Sequence, residues 1–422
     1  MKILWLCNVI VPQIAKQLEI TAGASGGWLV ETLEALGDRE GIEIGYCAPL
    51  KSNQQLVKAS YKNVSFWGFN KENWETHIYD KSVESIFTEI LSEFQPDIVH
   101  IFGTEFAHSL SMVRAFHCPN KTVVHLQGII SECAKEYYAF LPDNVIHGYT
   151  FRDFLRQDNI SQQAKKYQKR GQYEIQVLNQ VGHVMGRTDW DYACVMNINP
   201  KLNYHYCMEN LREEFSQGAV WEYETCQKYS IFMSQGSYPI KGLHMALEAV
   251  AQIAKEYPKV MLYVTGNDPR REKSFNEKLR ESSYEVYIRK LISKLDIGEN
   301  VAFLGQLNAG QMKEQYLKAN VFVSASSIEN SPNSVLEAMA VGTPVVSSFV
   351  GGVSSLLTHE KEGFLYQADA PYMLAYYVSK LFADVELAKR ISDNERKRSK
   401  TFLNLDKNVQ ELISIYKEIE QD

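Results

Sequence analysis

The chain has 422 residues, 45% apolar and 23% charged, with a net charge of −7. That length exceeds one ordinary core and predicts two large α/β units, and the composition excludes disorder over most of the chain. The acidic balance argues against a nucleic-acid partner, and no run reaches the roughly 18 to 20 apolar residues of a membrane span, so any membrane contact is expected to be peripheral.

The first residues, MKILWLCNVIVPQ, carry one lysine before the apolar run and no small-residue cleavage pattern after it, so they read as a first β-strand. Short β-rich runs then alternate with helical patterns, the signature of parallel sheets built from βαβ units. In the first half the expected strands are 2–11, 42–49, 97–102, 122–127 and 183–187, with helices at 28–36 and 83–94 among those between them. A stretch at 130–176 carries Tyr137, Tyr138, Phe140, Phe151, Phe154, Lys165, Lys166, Lys169 and Arg170, and reads as a helical insertion in the first lobe. It either packs on that lobe or touches a lipid-linked acceptor at a membrane surface.

Residues 189–228 lose the alternation and read as the connection between lobes. Strands are then expected at 230–235, 260–266, 301–305, 321–326 and 344–348, and 404–422 has the periodicity of an amphipathic helix. The resulting division is 1–205 for a first lobe, on which 404–422 packs back, and 206–403 for a second. Seven cysteines, Cys7, Cys47, Cys118, Cys133, Cys194, Cys207 and Cys226, are never spaced as CxxC and read as reduced thiols of a cytoplasmic protein.

Parallel sheets bind ligands beyond the carboxyl ends of their strands, so the residues following each strand carry the functional reading. After the first strand, Gly23, Gly26 and Gly27 either form a tight turn or bring backbone N–H groups to a phosphate. Lys241, at the mouth of the strand ending at Gln235, is either an exposed turn residue or the cation that neutralises a pyrophosphate, at about 1.5–3 kcal/mol per charge-assisted hydrogen bond.

The segment from Ser326 to Ala340 says more. Ser331 suits an N-cap and Pro332 the first helical position, which would start a helix there with free N–H groups. Glu329 then precedes the helix and Glu337 lies inside it, an E-x7-E spacing that lets both carboxylates face one ligand. Ionised carboxylates accept hydrogen bonds from sugar hydroxyls. Glu337 as an ordinary exposed helix residue is the competing reading.

The order Lys241-Gly242, Glu329-x7-Glu337, Gly342-Thr-Pro-Val-Val and Gly351-Gly352 resembles the family 4 glycosyltransferases, retaining enzymes of the GT-B fold. The likeness is strong over 230–366. It is looser in the first half, resting there on Gly26, Gly27, PDIVHIFG and TVVHLQG. It implies an α/β architecture of two Rossmann-like parallel-sheet lobes facing a deep cleft, with the acceptor bound by 1–205 and the nucleotide sugar by 206–403.

The resemblance also implies roles. Lys241 holds the donor diphosphate, Glu337 the ribose, and Glu329 lies beside the transferred sugar. Backbone amides from Asn330, Ser331, Asn333, Ser334 and Val335 meet sugar and phosphates, Gly305 to Leu307 lie near the base, and Gly26 and Gly27 close over the phosphates from the other lobe. The implied reaction moves a hexose from a nucleotide-sugar donor, UDP-linked by family frequency, to a sugar or lipid-linked acceptor in surface polysaccharide assembly. It needs no cofactor and no metal, and draws on lobe closure.

Two departures stand out. Gln235-Gly236-Ser237 replaces the family's Gly-Arg-Leu turn, and Gln127-Gly128 replaces its His-Gly, which leaves His100, His108 and His125 as open candidates. Arg187 and Thr188 end a strand and either touch an acceptor or form a structural ion pair, and Asp189-Trp-Asp191 reads as structural rather than metal-binding. A nucleotide-sugar epimerase or phosphorylase of the same fold and a non-catalytic sugar-binding protein are the competing functions. A dinucleotide oxidoreductase is disfavoured because no G-x-G-x-x-G stands about 20 residues before an acid.

Overall fold

The computed structural model describes residues 1–21 and 26–422, so Gly23 lies outside the described residues. The chain forms two units. The first comprises Met1–Glu132, Tyr167–Arg212 and Leu403–Asp422; the second comprises Cys133–Lys166 and Glu213–Phe402.

The first unit is built on eight strands: β1 (Lys2–Leu6), β2 (Glu43–Pro49), β3 (Leu56–Tyr61), β4 (Val64–Phe69), β5 (Ile98–Phe102), β6 (Thr122–His125), β7 (His183–Gly186) and β8 (Asn203–Tyr206). Their order is β3-β4-β2-β1-β5-β6-β7-β8, parallel except for the β3–β4 pair. Central β1 shows why the sheet is buried on both faces. Ile3 and Trp5 enter one apolar core while Leu4 and Leu6 enter the other, as the two-residue period of a strand requires. The helix Leu405–Gln421 completes the first of these cores with Val409, Leu412, Tyr416 and Ile419, and the Trp5 indole donates to the Tyr416 hydroxyl at 3.0 Å.

The second unit holds β9 (Ser230–Met233), β10 (Met261–Val264), β11 (Val301–Phe303), β12 (Val321–Ser324), β13 (Val345–Ser348) and β14 (Phe364–Tyr366), all parallel, in the order β11-β10-β9-β12-β13-β14. The chain winds outward from β9 to β11, then returns to place β12 on the other side of β9. Between β9 and β12 the winding reverses, which opens a crevice at their carboxyl ends.

Three expectations need correction. Residues 189–206 are not a connection: Asp189–Ile198 is a helix and β8 extends the first sheet. The helix after Glu329 spans Asn333–Val341 with Pro332 as its N-cap, because Pro332 keeps an extended ψ of 113° and it is the Pro332 carbonyl that accepts from the Val335 and Leu336 N–H groups. The insertion is divided, with Cys133–Lys166 grouped in the second unit. Its backbone and side chains explain why: Ser327 Oγ donates to the Glu136 carbonyl at 3.0 Å, Thr150 Oγ1 to that of Glu281 at 2.7 Å, and the Ser283 N–H to Asp153 Oδ2 at 2.9 Å.

Candidate functional site

Lys241 and Glu329 meet at the reversal point of the second sheet. β9 leads through Gln235-Gly236 into the short 3₁₀ turn Pro239–Lys241, and β12 leads into the loop 325–332. Lys241 Nζ lies 2.5 Å from Glu329 Oε1, an oxygen that also accepts from Ser326 Oγ at 2.7 Å. Burial opposes the lysine charge, but the Glu329 carboxylate and the Tyr238 phenol outweigh it and hold the Lys241 pKa above the ordinary lysine range. Lys241 is therefore a charged ammonium with an internal partner, not a solvated turn residue.

Two glycines fix this loop. Gly242, at φ +69°, leaves only 1.8 Å between a would-be Cβ and the Ala325 carbonyl oxygen. Gly351, at φ +49°, leaves 1.9 Å to the Glu329 carbonyl oxygen. Side chains at either position would push the loop away, so both sites demand glycine for close approach as well as for backbone conformation. The Gly352 N–H donates to the same Glu329 carbonyl at 3.1 Å, and the Ser348 hydroxyl to that of Ser326 at 2.6 Å.

Glu337 is 7% exposed, which removes the reading of an ordinary surface residue. The fully buried Tyr316 hydroxyl lies 3.0 Å from Glu337 Oε2 and 3.1 Å from the Ser334 carbonyl, tying the carboxylate to the first turn of its helix. Sequence reading missed Tyr316, Ser326 and the glycine contacts. Tyr316 lies in the amphipathic helix Ala309–Lys318, and nothing in its spacing points to a residue 21 positions away.

Asn330 and Ser331 are buried beside Glu329, while Asn333, Ser334 and Val335 form the first turn of the helix. The Ser331 hydroxyl is buried without a hydrogen-bond partner among the described residues, a polar atom suited to a bound ligand. Gly305 and Leu307 follow β11 on the same sheet edge, beyond β10; Gly305 takes φ +70° and bridges to Gly266.

In the first unit, Gly26 caps the helix Gly27–Gly37 at φ +87°, where a Cβ would meet Val9 at 2.4 Å; one on Gly27 would meet Arg212 at 2.4 Å. Arg187 forms a buried 2.8 Å ion pair with Glu209, and Gln127 donates to the same carboxylate. His125 lies 3.6 Å from Glu209, its pKa lowered by burial against the pull of that carboxylate. His100 contacts the Tyr416 hydroxyl at 2.5 Å and His108 contacts Asn8 at 2.8 Å, and burial holds both well below the usual histidine range. Thr188 caps the helix Asp189–Ile198, and Asp191 completes the capping box and accepts from the Arg187 and Thr188 N–H groups. Among the described residues no helix is long and apolar enough to cross a membrane.

A lysine–glutamate pair and a second, buried glutamate thus stand at one strand reversal of a parallel α/β sheet. Residues 221–398 match the family "Glycosyl transferases group 1". An uncharacterized glycosyltransferase of Methanocaldococcus jannaschii is 28% identical over 191 residues, 45% of this chain and 45% of that relative, so the match spans under half of the relative's length.

Two solved structures share the fold. Sucrose-phosphate synthase from Thermosynechococcus elongatus has a TM-score of 0.70 at 17% identity over 99% of both chains. The Anabaena protein HepE, solved in complex with UDP-glucose, has a TM-score of 0.66 at 15% identity over 99% of this chain and 100% of its own. The chain is thus similar in sequence over 221–398 to the group 1 glycosyl transferases, and both of its units share the fold of these two structures.

Proposed function

We propose that the chain is a retaining hexosyltransferase that takes a UDP-linked hexose and passes it to a sugar or lipid-linked acceptor in surface polysaccharide assembly. The observation that carries this reading is the meeting of Lys241 with Glu329 at the β9–β12 reversal, with Glu337 buried on the following helix. The UDP-glucose bound by HepE, a protein of the same fold, supports the choice of donor.

In this reading the donor diphosphate takes Lys241 from Glu329, and Glu329 turns to the hydroxyls of the sugar. Glu337 accepts from the ribose hydroxyls, and Ser331 with the backbone amides from Asn330 to Val335 meets the phosphates and sugar. Gly305 and Leu307 border the base, and Gly26 and Gly27 are the phosphate candidates of the first unit. The bond from the anomeric carbon to the diphosphate oxygen breaks, a bond to the acceptor oxygen forms on the same face, and the acceptor proton passes to the departing phosphate.

Lys241 opposes the growing negative charge without a metal. A charge-assisted hydrogen bond of about 1.5–3 kcal/mol covers only part of the 8 kcal/mol or more an enzyme typically supplies, and holding the reactants in place provides the larger share.

A thermal-shift panel of UDP, GDP, ADP and CMP tests the assignment, since a bound nucleotide raises apparent stability by mass action. UDP is expected to raise the melting temperature most and Lys241→Ala to abolish the shift; no response to any of the four overturns the reading.

A further inference from the structure

The second unit carries a cavity of about 650 Å³ that none of the roles above occupies. Its walls include Phe140 and Phe349, and Tyr366, Gln367 and Asp369 complete the part that matters here. Both phenylalanines stand well out of the core, 47% and 61% exposed, although each is a large apolar side chain. Two such faces around one hollow make an apolar surface of the kind that ligands cover.

The way Phe140 is held points to the same conclusion. Ala139 and Phe140 are consecutive non-glycine residues at φ +49° and +62°, a conformation that costs free energy at each position. The segment is kept there by two clasps: His244 Nε2 lies 2.6 Å from the Ala139 carbonyl oxygen, and Ser327 Oγ donates to the Glu136 carbonyl. The opposite wall is fixed as firmly, since the Phe349 N–H donates to the Tyr366 carbonyl at 2.7 Å and Gly351, two residues on, closes against the Glu329 carbonyl. Both walls are thus tethered to the loop that carries Glu329, one through Ser327 and the other through Gly351.

The polar groups select the occupant. Gln367 and Asp369 are exposed and hydrogen-bonded to each other at 2.6 Å, offering an amide and a carboxylate beside the rings. The Tyr366 hydroxyl is buried and has no hydrogen-bond partner among the described residues. An acyl chain would leave these groups unmatched at a cost. A pyranose ring presents an apolar C–H face to an aromatic ring and hydroxyls around its edge, and the cavity is within the size range of small-molecule sites, about 300–1,000 Å³.

We propose that this cavity is a saccharide-binding subsite of the second unit, separate from the donor groups, that seats the acceptor through Phe140, Phe349 and Asp369. Its role as an acceptor seat rests on the transferase reading; its affinity for saccharide does not.

Saturation-transfer NMR on the full chain with maltotriose, cellotriose and sodium decanoate tests the proposal, with UDP binding measured on the same samples. At least one trisaccharide is expected to receive saturation, to keep it when UDP is added, and to bind about tenfold more weakly to Phe349→Ala and Asp369→Asn, the loss of roughly 1.4 kcal/mol that one stacked ring or one charged hydrogen bond represents. Asp369→Asn changes an exposed residue and carries the test if Phe349→Ala does not fold. Saturation of neither sugar, displacement of the sugar by UDP, equal binding by the folded variants, or binding of decanoate alone overturns the subsite. If the trisaccharide binds at this cavity while UDP does not bind at all, the transferase reading falls and the saccharide site stands.

Discussion

Lys241 Nζ and Glu329 Oε1 lie 2.5 Å apart, so the cation assigned to the donor diphosphate is already neutralised by the carboxylate assigned to the sugar. A phosphate must compete with that partner. In Glu329→Gln the competition is weaker, and UDP is expected to bind about three- to tenfold more tightly by calorimetry, within the free energy of one charged hydrogen bond. Turnover falls in the same variant because the sugar loses a charged acceptor and meets an amide donor in place of one carboxylate oxygen. Weaker UDP binding would show that Glu329 does not oppose the diphosphate.

Glu337 is predicted to act on the ribose alone. Glu337→Gln should weaken UDP about 10- to 100-fold, the equivalent of roughly 1.5–3 kcal/mol for a hydrogen bond to a charged group, and leave inorganic pyrophosphate binding unchanged. Tyr316→Phe removes the hydroxyl that holds the carboxylate and should give a smaller loss of the same kind. Equal losses for UDP and pyrophosphate would place Glu337 elsewhere.

Gly242→Ala sets a methyl group against the Ala325 carbonyl and forces a side chain into φ +69°. A loss of about 1–3 kcal/mol in chemical denaturation is expected, together with weaker UDP binding as Lys241 shifts. Unchanged stability would mean that the turn can move freely.

His244 links pH to stability. Burial lowers its pKa to about 4 although the Ala139 carbonyl favours the proton. In the unfolded chain a histidine takes its proton near pH 6.5, so between about pH 6.5 and 4 the unfolded state binds more protons than the native one. The stabilisation is complete above that window and is lost as pH falls through it, by up to roughly 3 kcal/mol. Urea unfolding at pH 7.5 and pH 4.5 checks this: His244→Gln should show a shallower fall than the parent chain, and an equal fall would assign the acid sensitivity to other groups.

Much of the architecture was legible because buried parallel strands are short and nearly all apolar. All ten expected strands are present, as β1, β2, β5, β6, β7 and β9 to β13. Four strands were missed. β3 alternates partly buried and exposed positions at a sheet edge, β8 reads NYHY and β14 has three residues, whereas β4, VSFWGF, is apolar and mostly buried and was passed over although its pattern is strong.

Lys241, Glu329 and Glu337 could be singled out because their chemistry is local to a strand end or a helix start. Tyr316, Ser326 and the tight approach of Gly351 to Glu329 could not, since each depends on a contact between elements. The partition of 133–166 was equally hidden. Its aromatic and basic residues announce a surface, but the bonds that assign it to the second unit run to Ser327, Glu281 and Ser283, more than a hundred positions away.

The first unit draws on three separate stretches of chain, and its core lacks Val409, Leu412 and Tyr416 until the stretch beginning at Leu403 has been made. Every residue of the second unit precedes that point. During synthesis the order of completion is therefore the reverse of the order in sequence: the later unit has all its parts first, and the earlier one waits with an unfinished apolar face. Truncation at 403 would strike at the middle of the first sheet and not at a tail.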